Sequence, residues 1–258
     1  MLFSIIINTH NQYNLIDRCI KSCINQTINN NFEIIVSDTS DEKKIRKYKS
    51  KKVKIIESKN LSDYPCVNQM FSIKNALKHA SGKIICLLDG DDFFHPSKLN
   101  FLKKKFSPNK NFLNQDSLIG YNEETKKKFL ISNKKKYKNM LLYKKLFNSW
   151  PNVLGTSAIT INKNILDKFF TQVKPNKWNF LAIDALLIIY FDKMKILDFK
   201  GSNLTFKSFH KLNLDSTFSN KFSRKFWRRR LQQHRFYQFI NKRKYTNIDY
   251  ILSQIFSN

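Results

Sequence analysis

Glycine and proline occur only five times each in this 258-residue chain, cysteine four times, and acidic residues 19 times against 47 lysines and arginines. Each scarcity excludes something. There is no G-x-G-x-x-G and no G-x-x-x-x-G-K-S, which removes the usual dinucleotide and P-loop phosphate cradles, and neither G-x-S-x-G nor H-E-x-x-H occurs. Cys19, Cys23, Cys66 and Cys86 show no C-x-x-C spacing and each lies in an apolar stretch. Neither a disulfide framework nor a zinc knuckle is readable from them, and a reducing cytoplasm is the simplest setting. The most apolar run, Phe180 to Phe191, carries Asp184 and is too short to span a bilayer. Met1 to Asn8 lacks the basic leader and cleavage site of a signal peptide.

What is present is a folded, strongly basic protein. The formal net charge is +28, yet 41% of residues are hydrophobic and 14% aromatic, far too many for a disordered basic tail. The length suits one large domain, or one domain with an appendage. Lysine, asparagine, isoleucine and phenylalanine are abundant throughout, as an AT-rich coding sequence would produce, so much of the charge can be compositional. A basic surface attracts nucleic acid, anionic lipid or a nucleotide alike, and charge alone does not choose among them.

The first hundred residues alternate between short β-branched runs and helical patterns, the signature of β-α-β units and a parallel sheet. Phe3–Ile7, Phe32–Val36, Val53–Ile56 and Lys83–Leu88 read as strands. Between them, Leu15, Ile16, Cys19, Ile20, Cys23 and Ile24 mark one helix face with Asn14 as its cap, and Cys66–Ala80 reads as a helix stopped by Gly82. A short helix over Pro96–Phe106 follows, then a lysine-rich stretch, roughly 107 to 150, that reads as irregular. Thr156–Ile161 is a strand, Asn179–Phe191 an apolar helix, and Lys195–Phe199 and Leu204–Phe206 edge strands. Residues 221 to 244 hold ten basic residues and no acid. There Phe222, Phe226, Phe236, Tyr237 and Ile240 fall on about a third of a helical wheel, which predicts an amphipathic helix.

Ligands of an open parallel sheet bind beyond the carboxyl ends of its strands. Asp38 ends the second strand, and Asp89, Asp91 and Asp92 end the fourth. A basic protein that gathers carboxylates there invites a hard cation such as Mg²⁺ or Mn²⁺; the alternative is a polar turn capping the next helix. Asp184 is an acid in a helix otherwise apolar around it.

The order SIIINTHNQYNLIDRCIKSCINQT, then FEIIVSD, then A-x-G-K-I-I-x-L-L-D-G-D-D resembles the family 2 glycosyltransferases from about Ser4 to Leu99, and more weakly through Ser157–Ile161, Ala182–Leu187 and Phe206–Ser216. The resemblance implies an α/β GT-A domain, a Rossmann-like mixed sheet flanked by helices, over 1–215, with 216–258 a basic amphipathic helical tail. It implies an inverting, metal-dependent transfer of sugar from a nucleoside-diphosphate sugar to a hydroxyl of a glycan or lipid-linked acceptor in bacterial surface-polysaccharide assembly. Residue by residue, Asn8, Thr9 and His10 would meet the nucleotide, Asp38 the base, Asp89 the ribose and Asp91 the diphosphate-bound metal, with Asp92 behind them. The family usually has two acids and a glycine where this chain reads Ser37-Asp38-Thr39-Ser40. Lys74 would face the nucleotide or solvent, Asp184 would be the catalytic base, and His210 would close over the diphosphate or metal or be structural.

The rival reading is a nucleic-acid or anionic-membrane binding protein on a degenerate fold of this type. The basic residues concentrate in 126 to 145 and 221 to 244, away from the acids, which disfavours nucleic acid as the partner of the site. The tail is expected either to hold the protein at the inner membrane face or to pack on the domain.

Overall fold

The computed structural model describes residues 1–258 other than 29, 43–49, 132–149, 211–222, 245 and 258. The expected boundary at 215/216 therefore lies outside the described residues, as do Lys134 to Lys136 and Phe222.

Strands β1 (Phe3–Thr9), β2 (Phe32–Asp38), β3 (Val53–Glu57) and β4 (Ile84–Asp89) form a parallel core in the order β3-β2-β1-β4. Their sequences are nearly continuous isoleucine, valine and leucine because both faces are covered. Ile6, Ile35, Ile85 and Leu87 pack on one face, while Ile5, Ile7, Ile34, Val36, Cys86 and Leu88 pack on the other. Helix α1 (Ile16–Ile24) and α3 (Lys98–Lys105) cover the second face; α2 (Pro65–Lys78), α4 (Lys163–Gln172) and α5 (Ile183–Lys193) cover the first. Helix α1 places Ile16, Cys19, Ile20 and Cys23 on its buried side, as its spacing predicts. Asn14 is not its cap: the helix opens from a turn in which the Leu15 and Ile16 amides donate to the Gln12 carbonyl.

The sheet extends past β4 through β9 (Ile159–Asn162), antiparallel to its neighbours, to β6 (Leu113–Gln115) and the edge strand β10 (Leu197–Asp198), giving seven strands. The α/β mixed sheet flanked by helices is thus observed. The stretch after Phe106 is less irregular than its lysines suggest. Besides β6 it contains β7 (Leu118–Asn122) and β8 (Lys128–Ile131), the latter mostly exposed, so no alternation marks it. With β5 (Phe93–Phe94) and β11 (Thr205–Phe209) they form a second sheet, ordered β5-β11-β7-β8. Strand β11 is therefore inside a sheet, not at an edge, and runs to Phe209. Thr156–Ala158 is a 3₁₀ turn preceding β9 rather than the start of a strand.

The tail begins with α6 (Arg224–Asn241), capped by Ser223 Oγ accepting from the Phe226 amide at 3.1 Å. It packs along α5: Phe236 is fully buried, its ring edge-on to Trp178 at 4.8 Å, and Tyr237 and Ile240 lie against the core. The aromatic stripe of the tail is thus turned into the domain, because an apolar face of that size is covered more favourably by α5 than by water. The expected helical tail contains a second helix, α7 (Ile248–Phe256), which pairs with α6. Among the described residues no helix is long and apolar enough to cross a membrane.

Candidate functional site

Parallel pairing sets the site by register. Thr9 lies opposite Asp38 and Asn8 opposite Asp89, so the ends of β2, β1 and β4 bring Asn8, Thr9, Asp38 and Asp89 to one edge of the sheet. The chain then turns at Gly90, and no side chain fits there. A Cβ would stand 2.5 Å from Gln12 Oε1 and 2.8 Å from Thr9 Cβ, the second a branched carbon close to the backbone. Gly90→Ala is accordingly expected to cost about 1–3 kcal/mol, read from the urea midpoint, and to displace Thr9; an unchanged midpoint would show that the turn has room.

Asp91 and Asp92 follow, both buried. The Asp89 amide donates to Ser157 Oγ at 3.0 Å, and Gln69 Nε2 donates to Asp89 Oδ1 at 3.2 Å. Asp92 Oδ1 accepts from the Ser208 amide at 2.8 Å, and the Asp91 carbonyl accepts from Ser208 Oγ at 2.6 Å. These bonds fasten the acidic turn to β11 of the second sheet. Burial first, then the charges of Asp92, Asp91 and Asp184, holds Asp89 well above the ordinary carboxylate range, with Lys207 opposing. Burial and Asp91 push Asp92 up to about 8 against the hydrogen bonds from Ser157 and Ser208 and the charge of Lys207. A cluster of this kind holds protons unless positive charge joins it.

Asp184 contributes a small part of the charge that raises Asp89. It stands in the first turn of α5 rather than in mid-helix, 6% exposed, with Oδ1 accepting from the Ala185 amide at 2.7 Å. A helix N-terminus stabilises a carboxylate there. His210 joins the acids, with Nε2 3.4 Å from Asp91 Oδ2. Asp38 is nine-tenths buried, Oδ1 accepting from the Ser40 amide at 2.9 Å. His10 is exposed, and its Nδ1 donates to the Thr39 carbonyl at 2.9 Å. Lys74 does not join the acids; it lines a cleft of about 430 Å³ over the β3 edge with Glu57, Ser58 and Phe71. Trp150 and Trp178 are buried packing residues.

Three contributors went unread in the sequence. Lys207 on β11 supplies positive charge that opposes the rise of Asp89 and Asp92, its ammonium lying beside Gly155, which has φ +123°. Arg18 on α1 donates through Nη1 to Glu123 Oε2 at 3.0 Å and through Nη2 to Ser208 Oγ at 2.8 Å and the Asp91 carbonyl at 3.0 Å. Its guanidinium lies over the Phe93 ring at 4.4 Å. Although burial favours its neutral form, Glu123 is held below the usual carboxylate range by Arg18 and Ser208. Arg18 thereby joins the first helix, the acidic turn and the second sheet.

Two features bear on what could bind. Asn8 Oδ1 is buried with no hydrogen-bond partner among the described residues. No group of three or more His, Cys, Asp or Glu among the described residues is arranged to hold a metal ion. Asp91 offers one carboxylate, and Mg²⁺ usually takes one or two carboxylates and completes its shell with substrate phosphates and water; the imidazole of His210 beside it fits Mn²⁺ better than Mg²⁺.

Comparison with known proteins gives the family and the fold. An uncharacterized glycosyltransferase of Rickettsia conorii is 34% identical over 115 residues, 43% of this chain and 18% of that protein. One of Rickettsia bellii is 35% identical over 115 residues, 43% of this chain and 16% of that protein. The match thus spans less than a fifth of the length of these curated relatives. Among solved structures, Staphylococcus aureus TarS 1–349 in complex with UDP superposes with a TM-score of 0.59 at 15% identity, covering 100% of this chain and 70% of that one. The same TarS segment with UDP-GlcNAc gives a TM-score of 0.58 at 16% identity, with 100% and 70% coverage. That likeness is one of fold, the GT-A type. Residues 4–169 match the family model described as Glycosyl transferase family 2, a span that holds β1 to β4 and the acidic turn built above, and the chain belongs to that family.

Proposed function

We propose that this protein transfers a sugar from a nucleoside-diphosphate sugar to a hydroxyl of a glycan or lipid-linked acceptor, with inversion, in the assembly of a surface glycan. The observation that carries the reading is the strand register that brings Asn8, Thr9, Asp38 and Asp89 to one edge of the sheet, continued by a buried acidic turn whose Asp91 and Asp92 are fastened by Ser208 of β11. TarS, which shares the fold, has been solved with UDP and with UDP-GlcNAc, which favours a nucleotide sugar as the donor here too.

In this reading Asp38 and Thr9 face the base and nucleoside, Asn8 Oδ1 accepts a donor from the nucleotide, and Asp89 takes the ribose hydroxyls. Asp91 and His210 would hold Mg²⁺ or Mn²⁺, which when bound neutralises charge developing on the departing diphosphate. Lys207 adds positive charge to the same side. Asp184, across the cluster, removes the proton from the acceptor hydroxyl as its oxygen attacks the anomeric carbon and the bond to the diphosphate breaks.

Asp91→Asn separates this reading from that of a polar turn. With UDP as the probe, the wild-type chain is expected to bind at least about tenfold tighter when Mn²⁺ is present, and the variant to lose that gain while folding normally. The unliganded variant's melting temperature should hold or rise, since one of the charges crowding Asp89 and Asp92 is gone. Calorimetric titrations giving the same Mn²⁺ enhancement for both proteins would remove Asp91 from the metal.

A further inference from the structure

Helix α7 is amphipathic with its polarity reversed. Its buried side carries Asp249, whose Oδ2 takes hydrogen bonds from Arg230 Nε and from His234 Nε2, the latter at 2.7 Å, and Ser253, whose Oγ donates to the Asp249 carbonyl at 2.7 Å. Its outer side carries Ile248, Ile251 and Ile255, exposed by 43%, 45% and 59%, and at the end of the helix Phe256, seven residues on from Asp249 and so on the side of α6, is still exposed by 50%. Residues at i, i+3 and i+7 share one face, so the isoleucines form a continuous apolar stripe on the outside of the protein. The Trp227 ring of α6 lies 5.2 Å from that of Phe256 and extends the stripe at one end.

Exposed cations bracket the stripe. Lys242, Arg243 and Lys244 stand in the short connection just before α7, and at the far end the exposed Arg228 reaches through Nε to the Ser257 carbonyl at 3.2 Å. From 221 to 258 the chain has ten basic residues and one acid, Asp249, which is buried. A second copy seated on this stripe by two-fold symmetry would bring the two sets of cations together, at a cost that a lipid surface of opposite charge reverses. Nucleic acid would meet the cations but leave isoleucine and phenylalanine in contact with phosphate and water.

We infer that the outer face of α7, with its flanking cations, docks on an anionic lipid surface, the isoleucines and Phe256 entering the acyl boundary while Lys242, Arg243, Lys244 and Arg228 meet the headgroups. The stripe first legible in the sequence, on α6, cannot serve, because Phe236 is in the core. The inference stands apart from the proposed reaction and needs no catalytic residue.

Flotation of the full chain with vesicles of phosphatidylcholine, alone or mixed with phosphatidylglycerol, tests it. The wild-type chain should float with the mixed vesicles only, and less so as salt rises. The pair Ile251→Asp and Ile255→Asp, both exposed and so compatible with the fold, should lower partition at least about tenfold, since these side chains then no longer leave water. Changing Lys242, Arg243 and Lys244 to Glu should abolish the preference for phosphatidylglycerol. Circular dichroism and light scattering on each variant report folding and oligomeric state. The inference is overturned if the wild-type chain fails to float, if the aspartate pair floats equally well, or if the wild-type chain is a dimer that the aspartate pair makes monomeric.

Discussion

Lys98→Met is expected to lower the stability of this protein by about 3–5 kcal/mol, the cost of leaving one partner of a buried ion pair uncompensated. Lys98, at the start of α3, is 1% exposed, and its ammonium meets the Asp116 carboxylate, which is fully buried. Asp116 also accepts from the amide and the hydroxyl of Ser202. Without the lysine, a carboxylate in the interior keeps two neutral donors and no opposite charge. Against a total of about 5–15 kcal/mol for a typical domain, the loss is large. Urea denaturation of Lys98→Met and of the double variant Lys98→Met, Asp116→Leu separates pairing from packing. The double variant should recover most of the loss, because replacing both ends of a buried pair by apolar side chains removes the desolvation cost as well. A single variant within about 0.5 kcal/mol of wild type would mean that the pair adds little to stability and that water reaches the Asp116 carboxylate. The pair has a positional role too, since it fixes the segment after the acidic turn to the approach of β11.

The parts of this molecule legible from the sequence are those buried on two faces or governed by register. FSIII, FEIIV and KIICLL announce themselves because a parallel core strand has no solvent side, and once they are aligned the acids at their ends must share one edge of the sheet. Asp38, Asp89 and Asp91 could thus be found without coordinates. The second sheet could not. Strand β5 has two residues, and β8 presents exposed residues between lysines, so neither carries a period. Arg18 reads as one more surface cation of a helix, since Glu123 and Ser208 lie 105 and 190 residues away. Lys207 is hidden for the same reason: its position depends on β11 pairing with β7, a parallel contact across a long connection. Helix α7 lies in the stretch expected to be helical, but its facing is not legible, because its isoleucines would be assigned to the core and its Asp249 to solvent, the reverse of what is found.

Asp184→Asn is expected to lower turnover by roughly 10² to 10⁴, the loss associated with a general base, while leaving UDP affinity within about twofold of wild type. The amide keeps the size of the side chain and can still accept from the Ala185 amide, so α5 retains its first turn. What it cannot do is take a proton. In the proposed reaction Asp184 suits that task because it is buried at a helix N-terminus, where a carboxylate is favoured. Asp192, eight residues further along α5 and so about 12 Å away, is the control. It does not stand in open solvent as its neighbour Lys193 suggests: burial raises its pKa and its charge acts on Tyr237 of α6, far from the carboxylate cluster. Asp192→Asn should therefore leave turnover unchanged and, by removing a partly buried charge, leave stability unchanged or slightly raised. Steady-state rates at saturating donor, with UDP titrations for both variants, decide between the assignments. If Asp184→Asn turns over normally, or loses UDP binding as steeply as turnover, Asp184 supports the donor site and the base lies elsewhere in the cluster.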